Sequence, residues 1–244
     1  APVIGRLVAT RAGDVAARVA APVASYLVEV GDEVERGQTL VMLDDAILAA
    51  QRDQAEAALS EARAQLNSQQ QRLALAQQAL TRLERLQGSA AFSRATFDDQ
   101  RQEVAITRAE VAAARAAISR AEADFALARI EVERTEVKAP YPGVVTRRHL
   151  EAGAYAQAGE PLLHLVSDRA LEVEADVPAG RLSGLQTGTE VQVELTAGGD
   201  RRTATVRAIL PEESPQTRTR RVRFVPAFRT ADSRLASGQS VTVH

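Results

Sequence analysis

From residue 45 to residue 135 the chain carries an apolar repeat of helical period, interrupted by one glycine, Gly88, and by no proline. Leu59, Ala62, Leu66, Gln69, Leu73, Ala76, Leu80 and Leu83 step by alternate threes and fours, and Leu48 and Ala55 extend the stripe backward. On the return arm Phe97, Val104, Val111, Ile118, Phe125 and Val132 fall at every seventh position, with Ala114, Ala121 and Ala128 at the partner position. A sevenfold repeat keeps one seam of a helix turned toward a neighbour. Small residues set against large ones suit two close antiparallel helices. The spacing predicts arms from Asp45 to Gln87 and from Ser93 to Thr135, joined through Gln87-Gly88-Ser89-Ala90-Ala91-Phe92. Gly88 is the expected C-cap of the first arm and Ser93 the expected N-cap of the second. At about 1.5 Å of rise per residue each arm is on the order of 65 Å long. That is too long to lie against a small β domain, so the hairpin is expected to project. The stretch is rich in Ala, Arg, Gln and Glu, the composition of solvated helices.

The arms interrupt a second pattern. Gly31, Gly37, Leu40 and Leu43 recur at the same mutual spacing as Gly153, Gly159, Leu162 and Leu165. An Ala-Pro pair precedes each copy, Ala21-Pro22 and Ala139-Pro140, with a longer Pro-to-Gly stretch in the second. Val19, Val28, Val30 and Val34 in the first copy, and Val137, Val144 and Val145 in the second, come at strand-like spacing. Glycine supplies the positive backbone angles of tight turns, so each copy reads as three or four short strands. Neither half has enough strands to cover its own apolar face. Two halves pairing would close a small β-sandwich.

After Ser167 the chain alternates strictly, with Leu171, Val173, Ala175 and Val177 separated by Glu172, Glu174 and Asp176. Val191, Val193 and Leu195 alternate in the same way with Gln192 and Glu194. Further strands are expected at Thr203 to Leu210, Arg220 to Phe228 and Ser240 to Val243, separated by Gly198-Gly199, by Pro211 to Pro215 and by Ser237-Gly238. This describes a second, antiparallel β domain of barrel type, to which residues 3 to 10 can add a strand.

Composition removes several function classes. The net charge of −2 predicts no attraction to nucleic acid or to anionic lipid. The basic run from Arg218 to Arg223 lies in an expected strand with no interleaved aromatic residues. No run of 18 apolar residues exists, and Ala1 opens the chain without a signal-peptide pattern. Without Cys, with one Met and with His149, His164 and His244 scattered, no soft-ligand cluster is expected and no metal or cofactor site is assigned. No nucleophile elbow or phosphate loop is present, and the acidic pairs Asp44-Asp45, Asp98-Asp99 and Glu212-Glu213 read as helix-start or solvated groups, so no enzyme is expected.

Three segments carry a family resemblance: Gly31-Asp32-Glu33-Val34-Glu35-Arg36-Gly37-Gln38; Lys138-Ala139-Pro140-Tyr141-Pro142-Gly143-Val144-Val145; and Thr217-Arg218-Thr219 to Arg223 with Leu235 to Val241. Over nearly its whole length the chain resembles the periplasmic adaptors, or membrane fusion proteins (HlyD-like), of tripartite pumps, and specifically their RND-type branch. Pro142 stands where that family usually has Asp. The fold class implied is mixed α and β: a split lipoyl-like β-sandwich with an inserted long antiparallel α-helical coiled-coil hairpin, plus an antiparallel β-barrel domain. The expected borders are 1–12 for the first barrel strand, 13–43 and 136–167 for the lipoyl-like halves, 44–135 for the hairpin with its tip at about 86–96, and 168–244 for the barrel. The membrane-proximal domain of family members is not seen.

The resemblance implies a non-enzymatic linker between an inner-membrane transporter, RND more readily than ABC, and a TolC-like outer-membrane channel. It also implies a hexameric ring and a periplasmic location, with inner-membrane anchoring through an N-terminal segment outside this chain. Adaptors that engage TolC-like channels tend to carry an Arg, a Leu four residues later and a Ser seven residues after that, and Arg82, Leu86 and Ser93 reproduce this spacing. Read without the family, Arg82 is a solvated charge, Leu86 closes the hairpin and Ser93 is a helix cap. The half-motifs also resemble lipoyl or biotinyl carrier domains, but the one lysine, Lys138, sits at a strand entry and not at the turn such carriers modify.

Overall fold

The computed structural model describes residues 2–89, 91–167, 171–195, 201–227 and 235–244. Residues 44–135 form one compact unit, and the chain on either side of them forms the other.

The first unit is a pair of helices, α1 (Ala46–Arg85) and α2 (Arg94–Glu133). Leu59 and Ala76 of α1 are buried against Val104, Thr107, Val111, Ala114 and Ala128 of α2, and the other stripe residues are half-buried. Gln100 Nε2 donates to the Ala76 carbonyl (3.1 Å), which ties late α1 to early α2, and Arg63 pairs with Glu122 (3.3 Å), which ties early α1 to late α2, as an antiparallel pair requires. Two helices cover one another along a single seam only, so most of each arm stays exposed. Thr107 occupies a seam position that the apolar pattern does not mark. Its hydroxyl donates to the Glu103 carbonyl (2.9 Å), which removes the cost of burying it.

Two four-stranded sheets make the sandwich. They are built from β2 (Ala12–Ala16), β3 (Ala21–Tyr26), β4 (Glu33–Val34), β5 (Thr39–Leu43), β6 (Glu136–Lys138), β7 (Gly143–Arg148), β8 (Tyr155–Ala156) and β9 (Pro161–Val166). The sheet orders are β2-β9-β7-β4 and β6-β5-β3-β8. The two halves do not form one sheet each: β4 of the first half pairs with β7 of the second, and β8 of the second pairs with β3 of the first. Such an exchange explains why neither half is sufficient alone. The repeated glycines Gly31, Gly37, Gly153 and Gly159 all take φ between +85° and +104°, which turns the chain between strands. Leu40, Leu162, Leu163, Leu165, Val41 and Val145 fill the interior. Val30, counted above with the strand valines, lies in the turn before Gly31 and is 56 % exposed.

The barrel closes in the order β1-β10-β13-β12-β11-β14, through β1 (Val3–Ala9), β10 (Leu171–Pro178), β11 (Glu190–Leu195), β12 (Arg201–Ser214), β13 (Thr219–Pro226) and β14 (Ser240–Val243). Closure leaves no sheet edge unpaired. Phe224, Leu7, Val173, Val193 and Val206 fill the interior. Two expectations are corrected. Pro211 does not end a strand: β12 runs through it, and the register shifts between Ile209 and Glu213, so the missing N–H falls where the ladder is already broken. Strand β13 ends at Pro226, whereas Phe228 and the expected turn at Gly198-Gly199 lie outside the described residues.

The alternation in β10 also hides an ion-pair network. Glu172 and Glu174 point away from the barrel interior yet are only 8 % and 6 % exposed. Glu174 lies in register between Arg6 on β1 and Arg223 on β13, pairing with them at 2.9 and 3.2 Å, while Glu172 meets Arg207 at 2.8 Å and Arg223 at 3.6 Å. Arg223 therefore bridges both carboxylates, and Arg220 donates to the Leu210 carbonyl (3.0 Å). Part of the basic run 218–223 thus holds the barrel together. Arg223→Leu is expected to cost about 1–3 kcal/mol by urea unfolding, because two covered carboxylates lose a partner. Arg6→Ala should cost under about 1 kcal/mol, since Arg6 is 63 % exposed.

Candidate docking site at the hairpin turn

Helix α1 ends at Arg85, and Leu86 caps it with near-helical angles (φ −87°, ψ −4°). The Leu86 N–H donates to the Leu83 carbonyl (3.1 Å) and the Gln87 N–H to the Glu84 carbonyl (3.1 Å), the tightened bonding common at helix ends. Gly88, at φ +93°, makes the turn beyond the cap, so the C-cap is Leu86 and not Gly88. Ser89 Oγ donates to the Leu86 carbonyl (2.9 Å), and Ala90 lies outside the described residues. Ser93 is the N-cap of α2 in extended geometry (φ −106°, ψ 117°). Its Oγ accepts from the Thr96 N–H at 3.4 Å and from the Thr96 hydroxyl at 3.1 Å.

Leu83, Phe92 and Phe97 are half-buried and close the end of the seam, with the two rings 5.8 Å apart and tilted by 51°. Leu86 is thereby released from that task and is 43 % exposed. Arg82, one turn earlier on the same helix, is exposed and has no ion pair among the described residues. Ser93, across the turn, is exposed and spends only its acceptor capacity on the cap, so its hydroxyl proton has no acceptor among the described residues. A guanidinium, an apolar side chain and a hydroxyl donor therefore flank one turn. Such a set can take a carbonyl or carboxylate acceptor together with an apolar contact.

The sandwich holds a cluster that the linear sequence does not display. Strand pairing sets Asp14 opposite His164, and His149 follows the neighbouring strand β7, with its N–H donating to the Leu162 carbonyl (2.9 Å). Asp14 Oδ1 lies 2.7 Å from His164 Nδ1 and 3.1 Å from His149 Nε2. The hydrogen bond from His164 first, and that from His149 second, hold the Asp14 carboxyl below the usual carboxylate range. The reading of three scattered histidines is corrected for these two. His244 sits apart, 3.0 Å from Glu194 Oε2. Only strand register could have revealed the grouping, since Asp14 and His164 are 150 residues apart.

Comparison with known proteins matches two family models to successive parts of the chain. The family described as RND MFP, barrel-sandwich hybrid domain, matches residues 11–168, and the CusB-like beta-barrel domain matches residues 172–244. The pyoverdine export membrane fusion protein PvdR of Pseudomonas putida is 37 % identical over 212 residues, covering 85 % of this chain and 54 % of PvdR, so the chain spans about half the length of that curated relative. MacA from Actinobacillus actinomycetemcomitans shares the fold with a TM-score of 0.87 at 17 % identity, over 100 % of this chain and 77 % of MacA. The membrane fusion protein Spr0693 from Streptococcus pneumoniae R6 gives 0.73 at 21 % identity, over 100 % and 97 %. With its sandwich and hairpin segment and its barrel both matched to this family's domains, the chain belongs to the RND-type membrane fusion proteins.

Proposed function

We propose that this chain is the periplasmic adaptor of a tripartite efflux pump, joining an RND-type inner-membrane transporter to a TolC-like outer-membrane channel through the hairpin turn. Membrane fusion proteins are adaptors of export systems, and the Pseudomonas putida relative is named for pyoverdine export. The observation that carries the docking role is the exposure of Arg82, Leu86 and Ser93 around one turn whose closure is left to Leu83, Phe92 and Phe97. A channel made of helical hairpins would present backbone and side-chain acceptors to Arg82 and Ser93 and an apolar groove to Leu86.

Assembly into a ring of six is part of the same proposal. Leu75, Ile106 and Leu127 lie on the hairpin at 66, 47 and 57 % exposure, outside the seam, and offer apolar area to a neighbouring hairpin. Each tip contact can then be weak, because copies in a ring act together. No catalytic residue is needed, and the energy for transport would come from the transporter. Among the described residues no helix is long and apolar enough to cross a membrane.

The partner class is tested by purifying the full-length protein from membranes of its source cells after crosslinking and identifying what accompanies it. Recovery of an RND transporter and an outer-membrane channel is expected. Recovery of an ABC transporter in its place would move the adaptor to the other transporter class, and recovery of neither would sink the proposal.

A further inference from the structure

We propose that Asp14, His149 and His164 form a binding site for one borderline divalent cation, of which zinc(II) is the representative, on the solvent face of the sandwich sheet β2-β9-β7-β4. This goes beyond the adaptor role and does not depend on it. Three donor atoms, one carboxylate oxygen and two imidazole nitrogens, all lie within 4.8 Å of one another. Each comes from a different part of the sheet: Asp14 from β2, His164 from β9, and His149 from the residue after β7. The backbone fixes all three, because Asp14 and His164 are register partners and the His149 N–H is bonded to the Leu162 carbonyl of β9.

The donor geometry is close to what such an ion needs. At metal–ligand distances of about 2.0–2.1 Å and tetrahedral angles, ligand atoms sit about 3.3 Å apart. The Asp14–His164 and Asp14–His149 pairs stand at 2.7 and 3.1 Å and the two imidazole nitrogens lie within 4.8 Å of each other, so the ion is admitted by small movements of the carboxylate and the imidazole rings. Two neutral imidazoles and one carboxylate leave the fourth position for water, and imidazole with carboxylate suits zinc, nickel, cobalt or copper(II) better than magnesium or copper(I).

A purely structural role explains the cluster less well. Asp14 is exposed, and an exposed carboxylate between two imidazoles contributes little to stability. The chain has three histidines, and two of them converge on one oxygen. Bound there, a cation would clamp β2, which precedes the hairpin, to β9 and the end of β7, which follow it. It would thereby staple the two halves of the split sandwich.

The test is calorimetric titration of the untagged 244-residue chain with zinc chloride, alongside Asp14→Asn, His149→Ala, His164→Ala and the double histidine variant. One equivalent should bind to the native chain, each single variant should bind at least about tenfold more weakly, and the double variant should not bind. Cobalt(II) should give the visible absorption of a tetrahedral nitrogen–oxygen site with the native chain and lose it in the double variant. Circular dichroism should be the same throughout, since all three side chains lie on the solvent face. No uptake of zinc by the native chain at millimolar concentration would overturn the proposal, as would equal uptake by the double variant, which would place the ion elsewhere.

Discussion

Arg82→Asp and Ser93→Arg are each expected to abolish efflux in cells, to near the level of a strain lacking the protein, and to remove crosslinking to the outer-membrane channel. Neither side chain lies in the hairpin seam, where Leu83, Phe92 and Phe97 do the packing. Helical content and thermal unfolding should therefore be almost unchanged for Arg82→Asp and lowered only slightly for Ser93→Arg, which loses a cap whose bond from the Thr96 N–H is long, at 3.4 Å. The size of the effect follows from repetition. A loss of about 1 kcal/mol at each of six proposed tips sums to about 6 kcal/mol, on the order of ten-thousandfold in assembly affinity. Leu86→Ala, which removes apolar contact without adding charge, should fall between these variants and wild type. If both charge-changing variants transport normally, Arg82 and Ser93 do not touch the channel.

Gly143→Ala is expected to be a strongly damaging small substitution in the sandwich, lowering stability by about 3 kcal/mol in chemical unfolding. The position does not need glycine for its backbone angle. It needs glycine for space: a Cβ there would stand 2.3 Å from the Val166 carbonyl oxygen, 2.8 Å from its carbon and 3.1 Å from Ser167 Cα. These are backbone atoms of β9 and the residue after it, so relief requires parting β7 from β9, the central pair of the sheet. Gly88→Ala at the hairpin turn is the control. Its φ of +93° imposes strain, but a Cβ meets nothing within 4 Å, so the cost should be about 1–2 kcal/mol and confined to the helix ends. Equal losses in the two variants would mean that strand contact at Gly143 is not the cause.

The helical pair was readable in the sequence because a helix face is a local property. Residues three, four and seven apart share a side whatever the rest of the chain does, and the stripe from Leu59 to Leu83 is half-buried or buried throughout. Arg82, Leu86 and Ser93 were found by spacing and resemblance, while their availability depended on which neighbours closed the hairpin. The alternation in β10 correctly separated Val173 and Ala175 from Glu172 and Glu174. It did not reveal that the glutamates are covered, since Arg6, Arg207 and Arg223 reach them from three other strands.

Local period and turn residues by themselves determined the long hairpin, the twofold β repeat and an alternating second β domain, because each depends on contacts a few residues apart. Pairing across the sheets decided the rest. It let the halves exchange β4 and β8, carried β12 through Pro211 at a bulge, and set Asp14 beside two histidines more than 130 residues away. Strand register depends on which distant segment lies alongside, and shifting it by one residue turns every side chain to the opposite face; that choice is made only when the sandwich and the barrel close.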